Sequence, residues 1–302
     1  MNKEIMDSYI LAGKIARDVR DEAAKMAKPG VKLLEIANYV ENEIKKRGAE
    51  PAFPLNLSLN DHAAHYTPRH NDEITLKQSD ILKIDVGVMI EGWVADTAVT
   101  VEFGHHDKLA KASEEALDHA IDLVRPGARI ADISEAIENT IKSYGFVPVS
   151  NLMGHGLEQF SIHTEPSIPN VKSSNPKLLG ENIAIAIEPF ASTGYGVVND
   201  VPECLIFEFN ALRPLRNPDA KKIAAYVQRY NGTPFAERWL LSNEAITSGI
   251  PNSLFKIRIA LKEMIDRGVL YTYPPLRDAR GGMVSQSEHT ILVLDDPIVT
   301  TR

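Results

Sequence analysis

Apolar residues recur at roughly helical spacing through the first 26 positions, at Ile5, Ile10, Ile15, Val19 and Met26, which predicts an amphipathic helix opening a domain. The same period returns in PGVKLLEIANYVENEIKKRG (29–48) and in PGARIADISEAIENTIKSYG (126–145). These stretches align without a gap at an offset of 97 and share eight identities, among them Pro29/Pro126, Gly30/Gly127 and Gly48/Gly145. Each reads as a Pro-Gly turn, an amphipathic helix and a glycine stop. Behind each copy come a Pro-containing loop, a His-rich segment and an apolar strand. The first half gives FPLNLSLNDHAAHYTP and then ILKIDVGV; the second gives VPVSNLMGHGLEQFSIHTEP and then NIAIAIEPF. Two such half-units predict an internally pseudo-symmetric α+β domain, with a site built between the halves.

The pattern changes at about Tyr195. PDAKKIAAYVQRYNG, FAERWLLSNEAI and NSLFKIRIALKEMIDRG read as helices with no counterpart in the first half. We expect residues 195–269 to be a mainly helical insertion, and residues 1–194 and 270–302 to form the main domain. The insertion carries a cationic run, Arg213, Arg216, Lys221, Lys222 and Arg229, for which a solvated helix face is a better reading than an RNA contact. Strand grammar resumes at VSQSEHTILVL (284–294).

Composition narrows this picture only a little. Of the 302 residues 44% are hydrophobic and 25% charged, the balance of a soluble globular protein. A net charge of −8 argues against nucleic acid as the main partner. The single cysteine, Cys204, excludes an internal disulfide and a thiolate-rich zinc site, and reads as a small core residue. The N-terminus has acids where a signal peptide would have an apolar run, and no segment approaches the ~18 uncharged apolar residues of a membrane span. The expectation is a cytoplasmic protein without membrane contact.

The candidate chemistry lies in IDVGVMIEGWVAD (84–96), two strands joined by a turn, each carrying one aspartate. If the hairpin centres between Ile90 and Glu91, Asp85 and Asp96 are directly opposed. If Glu91-Gly92 is the loop, they sit diagonally. Either register puts both on one face. Like charges that close need a proton, a cation or a basic partner, and Lys83 lies on the same face as Asp85. Glu188 then ends the apolar strand IAIAIEPF, Glu288 leads into another in SEHTILVL, and His155 sits between glycines in MGHGLE, where its ring can point out of a turn. Acids at such positions are rare unless paired or ligated. Asp85, Asp96, Glu188 and Glu288 carry four negative charges, which two divalent ions balance. Oxygen ligands with one imidazole suit manganese, iron, cobalt or zinc, and two such ions can activate a shared water near neutral pH.

In these residues the chain resembles the methionine aminopeptidases. The pattern is Asp, Asp eleven residues on, GHG, IEPF, then Glu before HTILV. AAHYTP (63–68), IHTEPSIPN (162–170), YPPL (273–276) and the helical stretch before the last acid are similar to the type 2 branch, and the absence of a long N-terminal extension is similar to its archaeal short form. The resemblance implies the pseudo-two-fold "pita-bread" domain, an antiparallel sheet flanked by helices. It implies two divalent ions, with Asp85 chelating one, Asp96 and Glu288 bridging both, and His155 and Glu188 completing the second. Glu188 would also handle the proton of the attacking water. His163 would stabilise the tetrahedral intermediate, His65 would contact the scissile amide, and Phe53, Ile162 and Tyr273 would line the methionine pocket. Met153, just before His155, stands where type 2 enzymes often have a polar residue. The implied substrates are nascent polypeptides beginning with methionine, cleaved by a monomer, with the ribosome as a further partner. An X-Pro aminopeptidase or prolidase of the same fold is the alternative, although only 84 residues precede Asp85 and those enzymes carry a substantial N-terminal domain. A non-catalytic ribosome- or RNA-binding relative is the third reading, against which stands the complete set of five ligand residues.

Overall fold

The opening apolar stripe folds as α1 (Lys3–Met26) in the computed structural model, which describes residues 1–174, 176–248 and 253–302. Asn2 caps it by accepting from the Ile5 N–H, and Ala12, Ile15, Ala16, Val19 and Ala23 form its buried face. The first half continues with α2 (Leu33–Lys46), β1 (Glu50–Pro51), β2 (Asn56–Leu59), β3 (His62–Ala64), β4 (Ile81–Ile90) and β5 (Trp93–Glu102). The second half runs through α3 (Asp107–Ile121), α4 (Ile130–Ser143), β6 (Val147–Pro148), β7 (Met153–Glu158), β8 (Ser161–Pro169), β9 (Ile183–Ile187) and β10 (Phe190–Ser192).

The sequence repeat is a repeat of backbone bonding. Gly30 N–H donates to Leu76 O at 2.8 Å, and Gly127 N–H to Leu179 O at 2.9 Å. Leu76 N–H returns to Val31 O, and Leu179 N–H returns to Ala128 O. Gly48 and Gly145 stop their helices at φ +79° and +82°, the left-handed region that glycine enters without a Cβ penalty.

The remaining elements are β11 (Val198–Asp200), β12 (Ile206–Phe209), α5 (Pro218–Val227), β13 (Phe235–Ala236), α6 (Glu237–Leu241), α7 (Glu244–Thr247), α8 (Ser253–Asp266), β14 (Leu270–Tyr273), β15 (Leu276–Asp278), β16 (Val284–Gln286), β17 (His289–Val293) and β18 (Ile298–Val299). Residues 249–252 of the stretch expected to be helical lie outside the described residues. A separate hydrophobic cluster, including Phe207, Ile223, Phe235, Ile257 and Leu270, packs β12 and β13 against α5 and α8. A buried ion pair between Arg238 of α6 and Glu41 of α2 ties this unit to the first half. Trp239 Nε1 and the Leu55 N–H donate to the same carboxylate. The cations of the run at Arg213–Arg229 are exposed; Lys222 donates to Ile246 O, and Arg229 lies over the Tyr226 ring at 5.0 Å. Cys204 is half-buried, and burial pushes its thiol up to about 11.

The strands decide what faces what. Leu82, Ile84, Val86 and Val88 of β4 join Ala95 of β5 in the core under α1 and α2, while Ile185, Ile187, Ile291 and Val293 join the core under α3 and α4. With period two, the intervening positions face away from the helices. The half-sheets meet where Ala98 and Glu288 exchange backbone bonds, at 3.3 and 3.0 Å. The C-terminus closes over α1, so close that a Cβ on Gly13 would sit 2.4 Å from Thr300 O. Gly13→Ala is therefore expected to destabilise the fold by about 1–3 kcal/mol through overpacking against backbone, read as a lowered urea midpoint at unchanged m-value.

Candidate metal centre

The helix-averted face collects the acids by alternation alone. Asp85 shares it with Gly87 and Met89 of β4. In β5 Asp96 shares it with Val94, and the hairpin register pairs Gly87 with Asp96 and Asp85 with Ala98. The loop is thus Glu91-Gly92, and the aspartates sit diagonally. Glu188 continues the Ala184–Ala186 face one residue past β9, and Glu288 continues the Thr290–Leu292 face one residue before β17. His155 pairs with Ala186 and joins the same face from within β7, rather than projecting from a turn. The glycines beside it allow close strand approach, since a Cβ on Gly154 would meet Ala186 O at 2.4 Å.

The donor atoms are close. One ligand atom from each of Asp96, His155 and Glu288 lies within 4.8 Å of the others. His155 Nε2 is 3.7 Å from Glu188 Oε1. Gln286 Nε2 donates to Asp85 Oδ2 at 3.3 Å and to Glu288 Oε2 at 3.4 Å. The other oxygens of those acids, Asp85 Oδ1 and Glu288 Oε1, and also Asp96 Oδ1, are buried and have no hydrogen-bond partner among the described residues. Lys83 does not serve Asp85: its buried ammonium donates to Asn60 O at 2.8 Å. Burial pushes the Asp85 carboxyl up to about 7. Burial and then the neighbouring acids push Asp96, Glu188 and Glu288 well above the ordinary carboxylate range. His155 Nδ1 donates to Gly156 O at 3.3 Å, which leaves Nε2 as the lone-pair nitrogen on the acid side. Orphaned acid oxygens, mutual repulsion and one oriented imidazole are the chemistry of a divalent cation site, and these residues fit it.

A cavity of about 420 Å³ opens over this cluster. Phe53, Ile162 and Tyr273 line its apolar side, and Phe53 lies so close to Gly87 that a Cβ there would be 2.2 Å from the ring. His163 projects into the cavity 4.6 Å from the His155 ring, at 84°. The enclosing walls push its pKa down. His65 adopts φ +63° and donates from Nδ1 to Pro274 O at 3.3 Å; burial lowers it to about 4, so both imidazoles are neutral at pH 7. Met153, 39% exposed, sits at the rim.

Three residues that the sequence reading passed over support the cluster. Gln286 bridges two acids, and period two from Glu288 was a signal for it. Thr290 Oγ1 accepts from the Asp96 N–H at 2.7 Å and donates to Asp96 O at 2.8 Å, locking β5 to β17. Thr97 Oγ1 donates to Glu288 O at 2.8 Å.

A family model described as metallopeptidase family M24 matches residues 8–213. The chain is 46% identical to the methionine aminopeptidase of Pyrococcus horikoshii over 98% of its own length and 99% of the relative's. The chain belongs to metallopeptidase family M24. It is also 43% identical to the methionine aminopeptidase of Methanocaldococcus jannaschii, end to end in both. The crystal structure of a Thermotoga maritima methionine aminopeptidase shares the fold, with a TM-score of 0.71 at 22% identity, covering 100% of this chain and 98% of that one. The pseudo-symmetric α+β architecture expected from the repeat is thus the M24 fold, and the divalent metal expected from the acids is what a metallopeptidase of this family uses.

Proposed function

We propose that this chain removes the N-terminal methionine from polypeptides. The observation that carries the reading is the five-residue cluster of Asp85, Asp96, His155, Glu188 and Glu288 at the floor of an apolar-sided cavity, in a chain nearly half identical to curated methionine aminopeptidases along its whole length. The five residues would hold two divalent ions, cobalt, manganese, iron or zinc. When bound, these ions supply the charge that makes a water nucleophilic near neutral pH and polarises the scissile carbonyl.

The protein's own residues do the rest. Glu188 takes the proton of the attacking water, from a carboxylate that stands 3.7 Å from His155 Nε2 at the cavity floor. His163, neutral and open to the cavity, donates a hydrogen bond to the scissile carbonyl oxygen as negative charge develops there. His65, fixed by its Nδ1 bond to Pro274 O, turns its lone-pair Nε2 to the scissile amide and accepts from its N–H. Phe53, Ile162 and Tyr273 receive the thioether side chain. Residues 195–269 act as an insertion whose strands complete one wall. Chains still carrying the initiator methionine occur where translation does, so we place the enzyme in the cytoplasm, as a monomer acting on nascent chains near the ribosome.

Chelator-stripped protein, reloaded with manganese, cobalt or iron, is expected to release methionine from Met-Ala-Ser peptides. It should leave Leu-Ala-Ser and Ala-Pro peptides of equal length intact, as read by mass spectrometry. Cleavage confined to the Ala-Pro peptide would move the chain to the X-Pro branch. No metal-dependent cleavage by folded protein would favour a binding role.

A further inference from the structure

The position of the Tyr273 ring depends on a residue that the proposed chemistry does not use. Its hydroxyl donates to Glu208 Oε2. The β12–β14 register sets Ile206 opposite Tyr273 and Glu208 opposite Tyr271. Ile206 and Glu208 therefore share one face of β12, and Ile206 and Tyr273 both line the cavity. Phe207, between them, turns the other way into the hydrophobic cluster under α5 and α8. A half-buried carboxylate on this face costs desolvation unless it is bonded, and the phenol supplies the bond. Burial pushes the Glu208 carboxyl up while the phenol's hydrogen bond opposes the rise. Burial, the hydrogen bond and the charge of Glu208 push the Tyr273 phenol up, so it stays a donor through the neutral range.

The tethered ring reaches both cavity histidines. It meets His65 edge-on, with centroids 5.6 Å apart at 90°, and lies 6.0 Å from His163 at 39°. A tyrosine bonded at its hydroxyl loses the freedom to swing about χ1 and χ2, so its faces become fixed walls for its neighbours. We propose that Glu208 is a positioning residue: its carboxylate holds Tyr273 in the cavity wall, and through that ring fixes how His65 and His163 stand toward the substrate. The kinetic part of this inference rests on the methionine-removal reading; the structural part does not.

The test compares metal-loaded wild type with Glu208→Leu, Glu208→Gln, Tyr273→Phe and the Glu208→Leu/Tyr273→Phe double variant. In Glu208→Leu, KM for a Met-Ala-Ser peptide is expected to rise about tenfold, the scale of one buried hydrogen bond, as the Tyr273 wall loosens, and kcat to fall by at least as much as His163 loses its aim, with bound metal unchanged. Glu208→Gln keeps an acceptor and restores KM. Tyr273→Phe matches Glu208→Leu, and the double variant is no worse than either, because both remove the same interaction. The ring-nitrogen NMR shifts of His65 and His163 should move in Glu208→Leu and return in Glu208→Gln. Wild-type KM in Glu208→Leu, or additive losses in the double variant, would overturn the proposal. If the wild type cleaves no Met peptide, the functional reading fails separately. The ring-nitrogen shifts then decide alone: moved and restored they uphold the tether, unmoved they sink it. Should Glu208→Leu not fold, Glu208→Met serves the same comparison.

Discussion

Asp96→Asn is expected to abolish the stabilisation that added divalent metal gives the wild type, and to lower turnover more than about 100-fold, since even outer partners of metal ligands cost about 10–100-fold. The substitution is nearly isosteric and leaves the Asp96 backbone bonds to Thr290 intact. What it removes is one of four carboxylates that repel one another inside a buried cluster. The metal-free variant should therefore be more stable than the metal-free wild type at pH 7, because the amide carries no charge to be desolvated or repelled. Metal reverses the order. Wild type gains about 2.7 kcal/mol at a hundredfold excess of metal over its dissociation constant, and the variant gains little. Thermal melts of both proteins, with chelator and with manganese, give all four values. A variant melting like wild type under both conditions would remove Asp96 from the site.

The same acids set a pH dependence for the chelated protein. Burial raises the Asp85 carboxyl to about 7 in the folded state, against about 4 unfolded. A raised acid favours folding in full only below its unfolded pKa, and that contribution is lost as pH rises through the folded value. The metal-free protein should thus lose stability between about pH 4 and 7, and divalent ions should flatten the decline.

How much of this was visible in the chain follows from the range of each signal. The two half-units were legible because Pro29, Gly30 and Gly48 recur as Pro126, Gly127 and Gly145, and local turn chemistry fixes both helix ends. The shared face of Asp85 and Asp96 was legible because strand period is independent of register. The register itself was not, since Glu91 takes φ +51°, which a glutamate rarely adopts, and the bond that Phe160 N–H makes to Gly92 O comes from far along the chain. His155 was read as a turn residue because glycines flank it. In the fold those glycines are strand positions, emptied of side chain so that β7 can lie against β8 and β9. Glu208 gave no comparable local sign: its partner Tyr273 lies 65 residues away in sequence.

His163→Ala separates substrate chemistry from metal binding within the same cavity. The His163 ring is in contact with His155 but contributes no atom to the close set of donors. The variant should keep the full thermal response to manganese, unlike Asp96→Asn. Its kcat should fall about 10²–10³-fold, the loss of one donor aimed at a developing oxyanion, while KM changes little because that bond strengthens only in the transition state. His163→Gln, which retains a donor, should recover part of kcat without changing metal affinity. Steady-state kinetics beside manganese titration of the three proteins measures both quantities. A loss carried by KM would make His163 a ground-state contact of the pocket, and a lost metal response would make it a ligand. Only a kcat loss with intact metal response places the imidazole where the scissile carbonyl acquires its charge, and with it the direction from which the substrate enters over the acids.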